Sequence, residues 1–313
     1  MKGKVIFIDS VHPVLEERLT AHGFVCELHY NTPLDEVKKI LPEFVGLVIR
    51  SRFTLNASVF KHAPQLQFIA RSGSGLENID LEAAAECGIR VYSSPEGNKD
   101  AVGEHALGML LSLFNHLNKA NSQVKKGLWL REENRGVELA GKTVGLIGYG
   151  HMGQAFAKKL SGMNCSVMAY DKYKPHFPDS NARSVDLETL YTESDVVSLH
   201  LPLSEETMRY ADKAFFQRFR KPIFFLNTSR GQQVVTADLV DALKEKKVLG
   251  AGLDVLEYEK KSLEGLEIDA LPEALQYLVL CDHVLLTPHV AGWTQESYWK
   301  LSNVLADKIL ADF

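Results

Sequence analysis

The stretch Val144–Gln154, "VGLIGYGHMGQ", passes from an apolar run through a glycine-rich turn into the opening of a helical pattern. Gly148, Gly150 and Gly153 stand at G-x-G-x-x-G spacing, with His151 and Met152 between the last two. The first glycine permits a tight turn, the second lets a pyrophosphate approach the backbone, and the third lets the helix pack closely on the strand. The helix N-terminus then offers amide donors and the positive end of a dipole to phosphate. A glycine turn alone is common, so its flanks decide the reading. Here a strand precedes it, a helix follows it, and Asp171 closes the next apolar run roughly twenty residues on. A carboxylate at that point accepts hydrogen bonds from ribose hydroxyls and repels a 2′-phosphate. The stretch therefore predicts a dinucleotide site that takes NAD rather than NADP.

Such a signature usually opens its domain, yet here it lies almost halfway along a chain of 313 residues. At about 150 residues per domain, that length suits two domains. Before the signature, "KVIFID", "FVCEL", "GLVIR", "LQFIAR" and "GIRVYSS" read as strands, separated by helical patterns at Pro13–His22, Leu34–Leu41 and Asn56–His62. Continuous apolar strands alternating with amphipathic helices predict a parallel sheet covered on both faces. This series ends at Pro95–Asn98, "PEGN", which reads as a turn. A long helical pattern follows from about Lys99 to Gly127, and "EHALGMLLSLFNHL" within it is apolar around most of its circumference. Strands then resume as "TVGLIG", "CSVMAY", "DVVSLHL", "IFFLNTS", "VLGAGLDV" and "HVLLTP", before a last helix over Thr294–Phe313. The expected fold is α/β, with two doubly wound parallel-sheet domains. A Rossmann NAD-binding domain (98–289) is inserted into a flavodoxin-like substrate domain formed by 1–97 and 290–313.

Composition narrows the function classes. The chain is 45% hydrophobic and 24% charged, with a net charge of -5, as expected of an ordinary globular protein. The densest basic cluster is Lys244–Lys247, which argues against a nucleic-acid partner. Cys26, Cys87, Cys165 and Cys281 form no CxxC pair and no His/Cys cluster. They read as small buried hydrophobes in a reducing cytoplasm, with no disulfide and no metal site. No signal peptide and no run of membrane-spanning length is seen, so no membrane partner is expected.

Three further stretches lie at strand ends of the second unit, where open α/β sheets place their ligands. "FLNTSRGQ" carries Arg230, "GLDVLEYEK" carries Asp254 and Glu259, and "LLTPHVAGW" carries His289. A guanidinium can hold a carboxylate bidentately and polarise a carbonyl. An imidazole can exchange a proton near neutral pH, and a carboxylate beside it fixes its tautomer. Singly, each residue has an ordinary reading as a surface ion pair, a solvated charge or a turn residue. Their joint appearance at ligand-facing ends favours catalysis.

Across essentially its whole length the chain resembles the D-isomer-specific 2-hydroxyacid dehydrogenase family. The resemblance runs through "ARSGSGLENID", "GLIGYGHMGQ" with Asp171, "VVSLHLPL", "NTSRG", "AGLDV…E" and "TPHVAG". It implies a catalytic trio of Arg230, Glu259 and His289, with Thr228 and Asp254 on the nicotinamide side. It further implies His200, Pro202, Thr207 and Val102 as neighbours of the cofactor. Ser72, Gly73, Ser74 and Gly75 would form a cradle of backbone amides for the substrate carboxylate, as successive amides can. In the family the long helix and the segment around Trp129 pair two subunits, so a homodimer is implied. Several positions depart from the pattern. Lys260 stands where proline is usual, Val235-Thr236 replaces an acidic pair, 261–281 is longer than usual, and His151 replaces a frequent arginine.

For the substrate, "GLVIRSRFTLN" offers Arg50 and Arg52 two residues apart at a strand end. A period of two would place both on one side, facing one dianion. With "ARSGSGLENIDL" and "KKGLWLREENRGVELAGKTVGLIG", this stretch most resembles the phosphoglycerate dehydrogenases. That likeness implies oxidation of 3-phosphoglycerate to 3-phosphohydroxypyruvate in serine biosynthesis. Glyoxylate/hydroxypyruvate reductase and D-lactate dehydrogenase are the enzyme alternatives, with a plain 2-hydroxy acid as substrate. An NAD(H)-sensing, corepressor-like binding protein is the alternative from another class, because a fold can outlive its chemistry.

Overall fold

The computed structural model describes residues 2–177, 179–259 and 271–313. Its chain divides into two compact units, Met1–Lys99 with Trp293–Phe313, and Asp100–Gly292.

The first unit holds a five-stranded parallel sheet of β1 (Gly3–Phe7), β2 (Phe24–Leu28), β3 (Phe44–Ile49), β4 (Phe68–Arg71) and β5 (Arg90–Ser93). The order β2-β1-β3-β4-β5 is that of flavodoxin-like sheets. Alternate residues of the central strands feed opposite faces. Ile6, Leu47, Ile49 and Ile69 pack with Val37 and Phe60 on one side. Val5, Phe7, Val48, Phe68 and Ala70 pack with Leu15, Leu19, Leu305, Ala306 and Ile309 on the other. Burial of both faces is why these strands are continuously apolar. The last three of those residues belong to the terminal helix Gln295–Asp312, which starts at a capping box between Thr294 and Ser297. Arg18 bonds Asn303 and Asp307 of that helix.

The second unit holds a seven-stranded parallel sheet: β6 (Thr143–Ile147), β7 (Ser166–Tyr170), β8 (Arg183–Ser184), β9 (Val196–Leu199), β10 (Ile223–Asn227), β11 (Val248–Leu253) and β12 (Val284–Leu286). Its order is β12-β11-β10-β9-β6-β7-β8. Strand order reverses between β6 and β9, and ligands of doubly wound sheets bind at the carboxyl ends flanking such a switch. Both faces are again apolar, with Leu146 and Leu226 in one core and Ile147, Val197, Leu199 and Phe225 in the other.

The structure corrects three expectations and adds one element. Pro95–Asn98 is not a turn but the opening of helix Pro95–Phe114, where proline's fixed φ and missing N–H suit the first helical position. The long helical pattern is interrupted: His116 adopts φ 51, and a second helix, Leu117–Lys125, starts after it. Strand β8 is a two-residue element that no apolar run announces. Cys87 is exposed rather than buried, whereas the other three cysteines are half-buried. Lys260 and residues 261–270 of the long segment lie outside the described residues. No helix among the described residues is long and apolar enough to cross a membrane.

Candidate active site

The glycine turn links β6 to helix His151–Leu160. Gly148 has φ +94, and a Cβ there would lie 2.4 Å from the carbonyl oxygen of His200 at the end of β9. Glycine is therefore required by both conformation and space. A Cβ on Gly153 would lie 2.3 Å from the oxygen of Gly148, so the helix seats directly on the turn. At Gly150 a Cβ would meet nothing within 4 Å, and the helix that Gly150 caps has no side-chain cap. Its first-turn amides therefore have no side-chain acceptor, which is the arrangement a pyrophosphate uses. His151 is exposed and Met152 half-buried at the same end.

Asp171 follows β7 and ties this region together. Its Oδ2 accepts from the Tyr149 amide at 2.8 Å, and its Oδ1 from the amides of Tyr173 and Lys174 at 3.0 and 3.1 Å. The carboxylate is thus fixed beside the glycine turn. Beyond β9, the Thr207 hydroxyl donates to the Pro202 carbonyl at 2.6 Å and accepts from Ser204 N–H at 2.8 Å. Gln233, fully buried and absent from the sequence expectations, clamps the same loop by donating to Leu201 and Pro202 carbonyls at 3.0 and 2.9 Å. Val102 lies buried on helix Pro95–Phe114. Burial pushes the pKa of His200 down to about 4, so its imidazole is neutral. Its Nε2 meets Ser198 Oγ at 2.9 Å. Among the described residues, Nδ1 of His200 and Oγ1 of Thr228 are buried polar atoms with no hydrogen-bond partner. With the open Gly150, they fit a site that takes a polar cofactor.

Three more strand ends bring the catalytic candidates together. Buried Asn227, at the end of β10, receives Ser229 N–H and donates to the Arg230 carbonyl, each at 3.0 Å, which fixes the loop carrying Arg230. The Arg230 guanidinium donates to Ser229 O at 2.7 Å. Asp254, only 1% exposed after β11, receives Thr287 Oγ1 (2.6 Å), Val290 N–H (2.9 Å) and Ala291 N–H (2.8 Å). The turn that bears His289 is wrapped on this carboxylate. Sequence reading set Asp254 toward the nicotinamide; the structure engages both its oxygens with the His289 turn. His289 Nδ1 lies 3.0 Å from Glu259 Oε2. The Glu259 hydrogen bond raises the His289 pKa above its ordinary value, outweighing burial and the nearby Arg230 charge, which push it down. His289, Glu259 and Arg230 therefore share one neighbourhood suited to proton transfer beside a cationic anchor.

In the first unit the expected anion cradle is narrower than four amides. Ser72 N–H donates to Ile49 O at 2.8 Å, whereas the amides of Gly73, Ser74 and Gly75 donate to no protein acceptor among the described residues. Ser74 Oγ donates to Asn98 at 2.7 Å. Arg71, which sequence reading passed over, ends β4 directly before this turn. Its Nη1 lies 1.6 Å from where a Cβ on Gly73 would stand, so the guanidinium lies over the cradle. A basic residue at the carboxyl end of "LQFIAR" was the available signal. The alternation expected to align Arg50 and Arg52 does not reach them, because β3 ends at Ile49. Amides of residues 50, 51 and 52 instead converge on Asp9 at 2.7, 3.0 and 3.1 Å. The Arg50 guanidinium stacks on Trp293, 4.2 Å from the ring centre, and burial lowers its pKa. Arg52 donates to the carbonyls of Ile8 and His29 at 3.3 and 3.2 Å.

Residues 107–291 match the family model for the D-isomer specific 2-hydroxyacid dehydrogenase NAD binding domain. The chain is 36% identical over 278 residues to a hydroxypyruvate reductase of Thermotoga maritima, covering 89% of this chain and 88% of that one. It is 31% identical over 309 residues to a D-3-phosphoglycerate dehydrogenase of Archaeoglobus fulgidus, covering 98% of this chain but 56% of the relative. It thus spans about half the length of the phosphoglycerate dehydrogenases it matches. Among solved structures, a D-2-hydroxyisocaproate dehydrogenase aligns with TM-score 0.84 at 26% identity, covering 99% of this chain and 96% of that one.

Proposed function

The chain belongs to the D-isomer-specific 2-hydroxyacid dehydrogenases, which are NAD-dependent oxidoreductases, and we propose that it oxidises 3-phosphoglycerate at C2. The observation that carries the chemistry is the His289–Glu259 hydrogen bond at 3.0 Å beside Arg230. Glu259 accepts the Nδ1 proton, which leaves Nε2 free to receive the substrate hydroxyl proton. Arg230 holds the carboxylate and polarises the C2 oxygen as it gains carbonyl character. The Gly148–Gly153 turn, Asp171 and the loop from His200 to Thr207 would hold NAD, which would supply the acceptor for the hydride from C2. In the reverse direction His289 returns its proton to the C2 oxygen. In the first unit, the amides of Gly73–Gly75 suit a carboxylate, and Arg50 carries a guanidinium suited to a phosphate.

A second reading, hydroxypyruvate reduction, is favoured by Arg52, whose guanidinium is engaged with two backbone carbonyls. The deciding experiment compares kcat/KM for phosphohydroxypyruvate and hydroxypyruvate in wild type, Arg50→Ala and Arg52→Ala. A charge-assisted hydrogen bond is worth about 1.5–3 kcal/mol, or roughly ten- to a hundred-fold per contact. The phosphate reading expects a preference of that size for phosphohydroxypyruvate, lost in Arg50→Ala, whereas equal wild-type values select hydroxypyruvate.

We also propose a homodimer. Leu117, Val124, Leu128, Trp129 and Val137 are exposed within one stretch of the second unit's sequence, Trp129 at 77%, and exposed large apolar side chains of this kind suit coverage by a partner subunit. Light scattering is expected to give a dimer for wild type and a monomer for Trp129→Glu. A monomeric wild type rejects this assignment.

A further inference from the structure

We propose that His105 is a positioning residue for His289, acting through Thr287 and the buried carboxylate of Asp254. The proposal rests on reading His289 as the general acid–base.

His289 has φ 54, a left-handed conformation that a non-glycine residue holds only when its surroundings enforce it. Nearly everything that enforces it comes from two residues at the end of β11. Thr287 N–H donates to Leu253 O at 3.0 Å, and His289 N–H to Asp254 O at 2.8 Å. Val290 and Ala291 amides take one carboxylate oxygen of Asp254 each, at 2.9 and 2.8 Å. Where that carboxylate points therefore decides where the imidazole of His289 stands.

The third donor on the carboxylate is the Thr287 hydroxyl, at 2.6 Å from Oδ1, and behind it lies His105. Its Nε2 is 3.0 Å from Thr287 Oγ1 and 3.6 Å from Asp254 Oδ1. Counting protons orders the chain. An ionised carboxylate can only accept, and a hydroxyl has one proton to give. Thr287 donates that proton to Asp254, so it must accept from the Nε2–H of His105. The series His105 Nε2–H, Thr287 O–H, Asp254 carboxylate thus runs in one direction, and each bond polarises the next. The neighbours of His105 on its helix, Ala106, Met109 and Leu110, are buried apolar residues of the core. His105 itself is not sealed into that core, since its side chain is 24% exposed. His105 instead presents a donor to the one hydroxyl that orients the His289 mould.

The test uses His105→Leu, His105→Gln, Thr287→Val and the double variant His105→Leu/Thr287→Val, with His289→Ala as reference. Small misplacements of catalytic groups lower rates steeply, so His105→Leu and Thr287→Val are each expected to lower kcat about tenfold. The double variant should be no slower than the slower single, since both break one chain. The glutamine amide can still donate to Thr287, so His105→Gln is expected to recover kcat to within about threefold of wild type. KM for NAD should stay within about twofold throughout. In protein without cofactor or substrate, an NMR titration of His289 should move toward the ordinary histidine value in His105→Leu and return in His105→Gln, because the Glu259 contact depends on the turn. Multiplicative losses in the double variant, or an unchanged kcat in His105→Leu, overturn the proposal. A glutamine variant as slow as leucine, with kcat following thermal stability alone, also overturns it. A His289→Ala enzyme that still turns over defeats the acid–base reading and this inference with it. An inactive His289→Ala beside a fully active His105→Leu defeats this inference alone.

Discussion

Replacing Asp254 with asparagine preserves shape and changes one thing, the number of acceptors. The carboxylate receives Thr287 Oγ1 and Val290 N–H on Oδ1 and Ala291 N–H on Oδ2. An amide keeps a single oxygen, which will settle where two donors converge. Its NH2 group then faces Ala291 N–H at a distance set for a hydrogen bond, donor against donor, at a site only 1% exposed. A buried unsatisfied donor costs about 1–3 kcal/mol. The two surviving bonds change from charge-assisted to neutral, and each loses roughly 1 kcal/mol. The sum, about 3–5 kcal/mol, places this among the severe single substitutions. At about 2–4 °C per kcal/mol for a unit of this size, the thermal midpoint should fall by roughly 10 °C. Because the lost bonds shape the His289 turn, kcat should drop at least about tenfold in the same variant. Urea unfolding gives the stability and initial rates give kcat. A loss below about 1 kcal/mol together with kcat within twofold of wild type would refute the view of Asp254 as the mould of that turn.

Two further outcomes follow from the same geometry. Asp171→Ala is expected to weaken NAD⁺ use and narrow the gap to NADP⁺, because ribose hydrogen bonds and phosphate repulsion go together; an unchanged ratio of kcat/KM for the two cofactors contradicts this. Glu259 holds the pKa of His289 up, so in Glu259→Gln the kcat/KM limb for oxidation, which needs the neutral base, should move to lower pH. Reduction, which needs the protonated form, should fade at lower pH than in wild type. The same sign applies to stability. The pair contributes below the unfolded histidine pKa and is lost as pH rises through the raised folded value, a dependence the glutamine variant should lack.

What the sequence makes legible follows from how local each signal is. Strands buried on both faces are continuously apolar, so "TVGLI" could be read almost to its ends, whereas in the edge strand "FVCEL" only Phe24 is buried. The glycine spacing could be read because Gly148 answers both a positive φ and a backbone contact. The break at His116 was hidden, since "FNHLN" contains neither glycine nor proline and the left-handed residue is an ordinary histidine. "PEGN" misled because proline and glycine favour turns, yet proline also suits the first turn of a helix. The alternation argument for the arginine pair did not carry over, for a geometric reason. Alternation was extended past the strand's end at Ile49 to residues 50 and 52, into a loop shaped instead by three amides on Asp9.

The parts that stayed hidden share a cause: they are hydrogen bonds between distant stretches of chain. "GLDV" and "TPHVAG" were read as two strand ends that happen to carry polar residues. In the structure they are one object, in which Asp254 and Ala291, 37 residues apart, are joined directly. For such a carboxylate, sequence shows the residue type and the strand but not the partners. Counting its partners shows that it also holds the His289 turn. With both oxygens engaged by the turn, Asp254 is placed to act through His289, as proposed above, and its negative charge adds to the influences that raise the His289 pKa. Glu259 then contributes the direct contact and Asp254 the backbone that makes the contact possible. Substitution at either residue should thus alter the same imidazole by different routes, Glu259→Gln mainly by charge and Asp254→Asn mainly by position. The two are separable, since only the second should lower stability by several kcal/mol.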